Sequence, residues 1–277
     1  MKNQILKNKD LNDQLKHNGY VVTNFHDQNS LENVFNYLSF QNNEVNFLVN
    51  NNPTIDVNFH CTYLDQNKNY KYKLWQLLSN LIKPFLEKTF IDYKIIQANL
   101  FNKAPGKGYI SPHQNLTTVD EEKYTSISIW IPLQDTNMEN GTLCFLPKSQ
   151  GYFEKYRNSN INWAPMDVSN QLEDFNMVPV NLKVGQVLIF VDSIVHGSPI
   201  NNSKKNRYVF HYLAIPFNAK PVFCQKIDNV VNLIEVDDMF WQSYSPGDDE
   251  PKAPIIKSTV IKEKIYTKTT LLDEMEQ

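Results

Sequence analysis

Several classes of protein are excluded by what this 277-residue sequence lacks. It has no block of Lys and Arg, and its net charge is −3, so a nucleic-acid or membrane-surface partner has no electrostatic support. No apolar run reaches the ~18 residues of a membrane span, and the opening MKNQILKNKD lacks a signal-peptide core. The cysteines Cys61, Cys144 and Cys224 are odd in number and lack metal-binding spacing, which argues against a disulfide framework. We therefore expect a cytoplasmic protein.

The sequence does contain enough apolar material for one sizeable core. Hydrophobic residues make up 41% of the chain and aromatic residues 12%. This composition and length favour one large domain, or one domain with an appendage. We expect a single domain over residues 1–277, with an N-terminal helical part (1–93), a β-rich core (94–217) and a C-terminal extension (218–277).

Helical patterns are concentrated in the N-terminal part. The stretch SLENVFNYL places its apolar residues on one helical face, with Ser30 as the expected N-cap. The stretch YKLWQLLSNLIKPFLEKTF has a longer apolar stripe, in which Pro84 predicts a kink or the start of a second helix. Between them, the asparagine-rich NNEVNFLVNNNPTIDVN is typical of a loop or of short irregular strands.

From about residue 94 the pattern changes to short runs of β-branched and aromatic residues, separated by turns. The predicted strands lie in KIIQANLFNK, YTSISIWIPLQD, TLCFLP, MVPVNL, QVLIFVD and RYVFHYLAIPF. Many short strands with little helix between them predict an antiparallel sandwich or barrel, with the N-terminal helices packed on one side.

Polar residues of this β-rich half have the pattern of a metal site. Two histidines and one carboxylate bind iron(II) in non-heme oxygenases, and His113, Asn115 and His196 have this pattern with Asn115 in the carboxylate place. Residues two apart on an extended segment point the same way, while His196 must come from another strand. Arg207 follows the turn GSPINNSKKN, where a hairpin would return it to the same interior. Its guanidinium suits a carboxylate such as the far end of 2-oxoglutarate, with Ser198 as a further donor.

The sequence also resembles, motif by motif, the phytanoyl-CoA dioxygenase-like family of iron(II)/2-oxoglutarate-dependent oxygenases. The stretches that carry the resemblance are GYISPHQN, SISIWIPLQDTNMENGTLCFLPKSQG and VHGSPINNSKKNRYVFHY. The matching positions are His113, Trp130, Leu133, Asn140, Gly141, Pro147, Ser149, His196 to Ser198, Asn202, Ser203 and Arg207. The opening LNDQLKHNGYVVTNF is similar to the family's N-terminal helix and strand, so the resemblance covers roughly residues 11–217.

The resemblance implies a mainly β protein with a double-stranded β-helix core (jelly-roll, cupin-like) and N-terminal helices. It implies iron(II) held by His113 and His196, and 2-oxoglutarate held by Arg207 and Ser198. The activity it implies is that of a dioxygenase, which uses O₂ to convert 2-oxoglutarate to succinate and CO₂ while hydroxylating a small or medium organic substrate.

The sequence departs from the family at Asn115, where the pattern has aspartate. An amide keeps an oxygen donor but removes an anion from beside a dication, so metal affinity should fall. Four interpretations stay open: an iron site with a neutral oxygen ligand or water, an impaired member acting as a ligand-binding module, an engineered inactivation, and a halogenase-like variant. We expect no rescue by Asp120, Glu121 or Asp192, and we expect Asp192 to cap a turn.

Further candidates depend on which face of each strand is covered. Gln97 and Asn99, and less so Lys103, share one strand face and could contact cosubstrate or substrate, or else face solvent. Trp130 fits a pocket wall as well as plain core. His211 shares the face of Arg207 and is expected to be a core histidine.

The remaining expectations concern the N-terminal histidines and the loops. We expect surface or loop positions for His17, His26 and His60. The segments 41–60, 152–176 and 228–254 are predicted to be lid loops that set specificity.

Overall fold

The computed structural model describes residues 4–40, 52, 57–151, 156–157 and 177–261. Its helices are α1 (Lys9–Asn18), α2 (Gln28–Phe40), α3 (Lys68–Thr89) and the single turn α4 (Phe240–Ser243), with 3-10 turns at Thr62–Leu64 and Ser149–Gly151. None of the described helices combines the length and the apolar character needed to cross a membrane.

Both predicted N-terminal helices are present, but two details of the prediction are wrong. Asp27, not Ser30, caps α2, because Asp27 Oδ1 accepts a hydrogen bond from the Ser30 backbone N–H at 3.1 Å. Helix α3 continues through Pro84, so the predicted start of a second helix is wrong, whereas the alternative prediction of a kink stays a prediction. Leu74, Leu78 and Ile82 of its apolar stripe are fully buried, and this tertiary packing offsets the backbone hydrogen bond that proline removes.

Each of the six predicted strand stretches contains a strand. The strands are β1 (Tyr20–Asn24), β2 (His60–Cys61), β3 (Tyr93–Lys103), β4 (Ile110–His113), β5 (Ile127–Pro132), β6 (Cys144–Phe145), β7 (Val178–Pro179), β8 (Gln186–Val191), β9 (His196–Ser198), β10 (Arg207–Pro216), β11 (Val222–Ile227), β12 (Val230–Glu235) and β13 (Ile255–Val260).

The strands form antiparallel sheets with crossing connections, which confirms the predicted jelly-roll core. One sheet has six strands in the order β1-β8-β5-β10-β3-β2, and a second has four in the order β4-β9-β6-β7. The N-terminal part contributes β1 and β2 to the six-stranded sheet, and β1 lies in the stretch where the resemblance implied a strand. The predicted hairpin between His196 and Arg207 is wrong, because β9 and β10 lie in different sheets and the turn between them crosses from one to the other.

Strand β5 shows how the sequence pattern builds the two faces of the six-stranded sheet. Ile127, Ile129 and Ile131 are fully buried in the apolar core that also contains the inner face of α3. Because side chains alternate along a strand, Ser128 and Trp130 point to the opposite face, between the two sheets. The helices therefore cover one face of this sheet and leave the other for a site.

The segment 228–254 differs from its prediction as a lid loop, because it contains strand β12 and the helical turn α4. Strand β12 is the middle strand of a third sheet, β11-β12-β13, because VVNLIE has the length and β-branched content of a buried strand. Within the following stretch YSPGDDEPKAP, Tyr244, Ser245 and Pro246 are buried. The other predicted lid segments, 41–60 and 152–176, lie mostly outside the described residues.

Candidate functional site

A cavity of about 330 Å³ lies between the two sheets of the jelly roll. Strands β3, β5 and β10 supply one wall, β4 and β9 supply part of the opposite wall, and the segments 59–64 and 241–246 close one end. The cavity lining includes His113, Asn115, His196 and Arg207, so the structure brings four predicted site residues to one space.

The two histidines are direct neighbours. His113 at the end of β4 is the register partner of His196 at the start of β9, and their ring centroids are 4.3 Å apart. His113 Nδ1 lies 2.9 Å from the carbonyl oxygen of Ser111, and His196 Nδ1 lies 3.0 Å from that of Ile194. A carbonyl only accepts, so each Nδ1 carries the proton and each Nε2 keeps its lone pair for another ligand.

Burial keeps both imidazoles neutral. It lowers the pKa of His113 below its usual value and that of His196 well below, with the neighbouring His113 adding to the effect at His196. Phe145 and Phe190 contact the His196 ring, with centroids 5.8 and 4.9 Å away. The pair is therefore ready to donate two nitrogen lone pairs without first losing a proton at neutral pH.

Asn115 is held on both its side chain and its backbone. Its Nδ2 donates to Ser128 Oγ and to Asp192 Oδ1, each at 2.9 Å. Its backbone N–H donates to the Asp192 carbonyl at 2.9 Å, and its carbonyl accepts from Arg157 Nε at 2.7 Å. Arg157 is itself ion-paired with Glu121. Asn115 therefore has a fixed orientation on the cavity wall.

The expectation that Asp192 caps a turn is wrong. Its carboxylate instead accepts from the Ser128 hydroxyl at 2.6 Å and from the amide of Asn115. Asp192 is fully buried, and burial raises the pKa of its carboxyl to about 6, although the hydrogen bonds from Asn115 and Ser128 oppose this. It is absent from the described cavity lining, so it stands behind Asn115 and not beside it.

Arg207 is a buried cation on the cavity wall without an acidic partner in the described part of the chain. It is 2% exposed, its guanidinium carbon lies 5.4 Å from the ring centroid of Trp130, and its Nε has no hydrogen-bond partner among described residues. Burial lowers its pKa to about 9. An unpaired buried guanidinium is costly, so the arrangement favours an anion from outside the chain.

Ser198 lies next to this region, but its hydroxyl is already engaged. Ser198 Oγ donates to the carbonyl of Gly141 at 2.7 Å and accepts from Lys103 Nζ at 2.5 Å. Lys103 also donates to the Pro199 carbonyl at 2.8 Å, and burial, with the charge of Arg207, lowers its pKa well below the usual value. Neither Ser198 nor Lys103 is in the described cavity lining, so a role of Ser198 in binding stays a prediction.

A line of polar side chains crosses the six-stranded sheet on the cavity side. Gln97 Nε2 donates to the Trp241 carbonyl at 2.7 Å, and Asn99 Nδ2 donates to Gln97 Oε1 at 3.0 Å. His211 connects Asn99 Nδ2, 3.3 Å from its Nδ1, with Ser128 Oγ, 3.0 Å from its Nε2. Gln97 and Asn99 are thus buried, not solvated. His211 is a hydrogen-bonded histidine, as expected, and also part of the cavity wall.

Sequence reasoning missed the apolar end of the cavity. This end is lined by Phe59, Tyr63, Leu64, Trp241 and Pro246. The available signal was weak: FWQSYSPG combines aromatic residues with a Pro-Gly pair, but nothing in this stretch indicates that it lies next to residues 59–64.

Lys71 of α3 forms hydrogen bonds to both segments at this end, 59–64 and 241–246. Its Nζ donates to the carbonyls of Tyr244 at 2.5 Å and Tyr63 at 3.1 Å, and to Ser245 Oγ at 2.8 Å. The prediction that His60 lies on the surface is also wrong. It is fully buried in β2, with its Nε2 3.0 Å from the Tyr70 hydroxyl.

The donors present fit a divalent metal with one weakened ligand. In the part of the chain that the structure describes, no three His, Cys, Asp or Glu side chains converge as a metal site. The set is two neutral imidazoles with open Nε2 atoms and one amide, and imidazole and oxygen donors suit first-row divalent metals. The unpaired Arg207 on the same cavity fits the carboxylate of a cosubstrate.

Comparison with known proteins agrees with this fold. The carbocyclase SnoK from nogalamycin biosynthesis, described as non-heme and α-ketoglutarate-dependent, superimposes with a TM-score of 0.55 at 15% identity, covering 77% of this chain and 86% of SnoK. HygX from Streptomyces hygroscopicus, solved with nickel, 2-oxoglutarate and hygromycin B, gives a TM-score of 0.54 at 12% identity, covering 76% and 88% of the two chains. At such identities the likeness concerns the fold.

Sequence comparison identifies the family. Phytanoyl-CoA dioxygenase domain-containing protein 1 of Danio rerio is 28% identical over 130 residues, which cover 44% of this chain and 45% of that protein. The alignments span less than half the length of the curated relatives. The family model for phytanoyl-CoA dioxygenase (PhyH) matches residues 34–209, more than half of the chain. The chain therefore belongs to the phytanoyl-CoA dioxygenase (PhyH) family.

Proposed function

We propose that the chain is a non-heme iron(II)/2-oxoglutarate-dependent dioxygenase that hydroxylates a small or medium organic substrate. The observation that carries the proposal is the pairing of His113 with His196 across β4 and β9, in the same cavity as an Arg207 that has no ion-pair partner among the described residues. Family membership agrees with this chemistry.

His113, His196 and Asn115 would hold the iron. Each Nδ1–H donates to the backbone carbonyl two residues earlier, which fixes the ring and leaves Nε2 as the nitrogen with a free lone pair. The lowered pKa of each histidine keeps the Nε2 lone pair unprotonated. The hydrogen bonds from Asn115 Nδ2 to Ser128 and Asp192 keep the Asn115 side chain in place.

Arg207 would bind the distal carboxylate of 2-oxoglutarate. A guanidinium offers two parallel N–H donors to a carboxylate, and its position over Trp130 limits its rotation. Burial of this pair excludes water, which strengthens the contact. Gln97, Asn99 and the Trp130 ring form the adjoining wall and are proposed to orient cosubstrate or substrate.

Iron(II) and 2-oxoglutarate bound together supply an O₂-dependent oxidation of a C–H bond, with succinate and CO₂ as the coproducts. The chain itself orients the substrate and excludes water, because the side chains at the apolar end of the cavity present mostly carbon atoms. Among the described residues of the lining, Arg207 is the only Lys, Arg, Asp or Glu. This supports a substrate whose reacting part is uncharged and largely apolar, held against Tyr63 and Trp241.

The test is anaerobic titration of the protein with iron(II) and 2-oxoglutarate, followed by exposure to O₂. We expect a weak visible charge-transfer band on adding both components, and slow succinate formation after O₂ is admitted. Arg207→Met should abolish the response to 2-oxoglutarate, whereas Lys204→Met, an exposed cation in the preceding turn, should leave it intact. A wild-type protein that gives neither the band nor succinate would contradict the proposal.

A second candidate is a ligand-binding module that keeps the carboxylate pocket without turnover. The specific observation in its favour is the neutral side chain of Asn115 among the three metal donors. It predicts thermal stabilisation by 2-oxoglutarate that does not depend on metal. A halogenase-like variant is less well supported, because the hydrogen-bonded Asn115 side chain occupies the space that a halide would need.

We also propose that the chain forms a single domain and that the protein is cytoplasmic. The third sheet packs on the jelly roll, since Phe223 and Ile234 share an apolar cluster with Ile96 and Leu213, which supports a single domain. The three cysteines are free and buried, which supports a cytoplasmic location.

A further inference from the structure

We propose that Asp192 is the positioning residue that supplies the negative charge missing at Asn115, so that the pair Asn115–Asp192 takes the place of one ligating carboxylate. Asn115 Oδ1 is the third donor to the metal, and Asp192 is the anion behind it. The inference rests on the metal site of the proposed function.

The hydrogen bonds fix which end of the amide faces the cavity. Both N–H groups of Asn115 Nδ2 are engaged, with Asp192 Oδ1 and Ser128 Oγ at 2.9 Å. The Ser128 proton goes to Asp192 Oδ1 at 2.6 Å, so the Ser128 oxygen accepts from Asn115. A reversed amide would place its oxygen against a carboxylate oxygen, which is unfavourable. Oδ1 is therefore the atom that Asn115 presents to the cavity it lines.

Asp192 is an anion that needs a cation. It is fully buried, and no Lys or Arg in the described part of the chain forms an ion pair with it. A buried carboxylate without a counter-charge is costly. Asp192 accepts a hydrogen bond from Asn115, which lines the cavity together with His113 and His196. One divalent ion between these imidazoles would supply the charge that Asp192 lacks.

The contact also makes Asn115 a better donor. A charged acceptor on the N–H side of an amide shifts electron density towards its oxygen, and hydrogen-bond chains in buried sites strengthen one another. Groups behind metal ligands commonly change metal affinity by about 10–100-fold. Asp192 is thus expected to act on affinity through Asn115, without touching the metal.

The first experiment measures Mn(II) affinity by calorimetry for the full chain, Asp192→Asn and the control Asp120→Asn. Asp120 is also buried but pairs with Lys257 and Lys123. We expect Asp192→Asn to weaken binding about 10–100-fold and Asp120→Asn to leave it unchanged. Equal Mn(II) affinity of the wild type and Asp192→Asn would overturn this inference but not the proposed metal site. A wild type that binds no Mn(II) would overturn the proposed metal site and the inference with it.

The second experiment exchanges the two side chains and separates charge from structure. Asn115→Asp alone sets two carboxylates where an N–H···O contact now exists, so the thermal midpoint of the metal-free protein should fall. The double variant Asn115→Asp/Asp192→Asn restores the contact with the roles reversed. We expect it to recover both the midpoint and Mn(II) affinity to at least the wild-type level. Additive losses in the double variant would show that Asp192 serves only packing and would overturn the inference.

Discussion

His113 and His196 face each other as register partners across β4 and β9, with ring centroids 4.3 Å apart and each Nδ1 bonded to a backbone carbonyl two residues earlier. This places two open Nε2 atoms on one cavity wall. His113 is the last residue of β4 and His196 is the first residue of β9, so the pairing of these two strands sets the spacing of the rings.

The first prediction concerns this pair. At a Ni(II) concentration about 100-fold above the dissociation constant, the wild type should gain about 2.7 kcal/mol in the free energy of unfolding. His113→Ala and His196→Ala should each lose most of this gain, because one imidazole holds the ion poorly. Thermal unfolding with and without Ni(II) measures it, with the exposed His26→Ala as the control. Full stabilisation of both site variants would mean that the two rings are only core residues.

The second prediction concerns the cost of Arg207. A buried guanidinium without an ion pair destabilises the unliganded fold, so Arg207→Met should keep or raise the thermal midpoint. The same variant should lose about 2–5 kcal/mol of 2-oxoglutarate binding, the usual effect of removing one partner of a buried charge pair. Calorimetry and thermal unfolding measure the two effects. A variant that unfolds more easily and binds 2-oxoglutarate normally would assign Arg207 to structure.

The third prediction is a pH dependence from His211. Burial lowers its pKa to about 4 in the folded protein, below the ~6.5 of an unfolded histidine. Between about pH 6.5 and 4 the unfolded chain takes up this proton and the folded chain does not, so stability falls as the pH falls, by at most about 1.4 kcal/mol per pH unit.

His211→Gln keeps hydrogen-bonding capacity towards Ser128 and Asn99 but cannot titrate. The free energy of unfolding by urea should therefore depend less steeply on pH in this variant. The carboxyl of Asp192, whose raised pKa acts with the opposite sign, is present in both proteins and cancels in the difference. Parallel curves for the variant and the wild type would contradict the prediction.

The fourth prediction concerns the apolar end of the cavity. Lys71→Met removes three hydrogen bonds that join Tyr63, Tyr244 and Ser245, and leaves buried acceptors unpaired. We expect a loss of about 1–3 kcal/mol in stability and faster amide exchange over residues 240–246. Lys83→Met, an exposed lysine of the same helix, is the control. Unchanged exchange in this segment would show that aromatic packing alone holds it.

Local patterns in the sequence determined much of the architecture. The 3.6-residue stripe of α3 and the alternation along β5 fixed which faces are buried, since both depend only on backbone periodicity. The spacing of His113 and Asn115 likewise follows from two residues on an extended segment. The family resemblance then placed His196 and Arg207 on the same site.

Tertiary structure alone decided the contacts between distant segments. Asp192 meets Asn115 across 77 positions of the chain, and Lys71 meets Tyr244 across 173. Such contacts depend on which strands become neighbours and on the register between them, and a shift of one residue turns every side chain to the other face. The sequence by itself therefore determined the jelly roll and its candidate metal donors, whereas only the folded sheets decided that an anion lies behind Asn115.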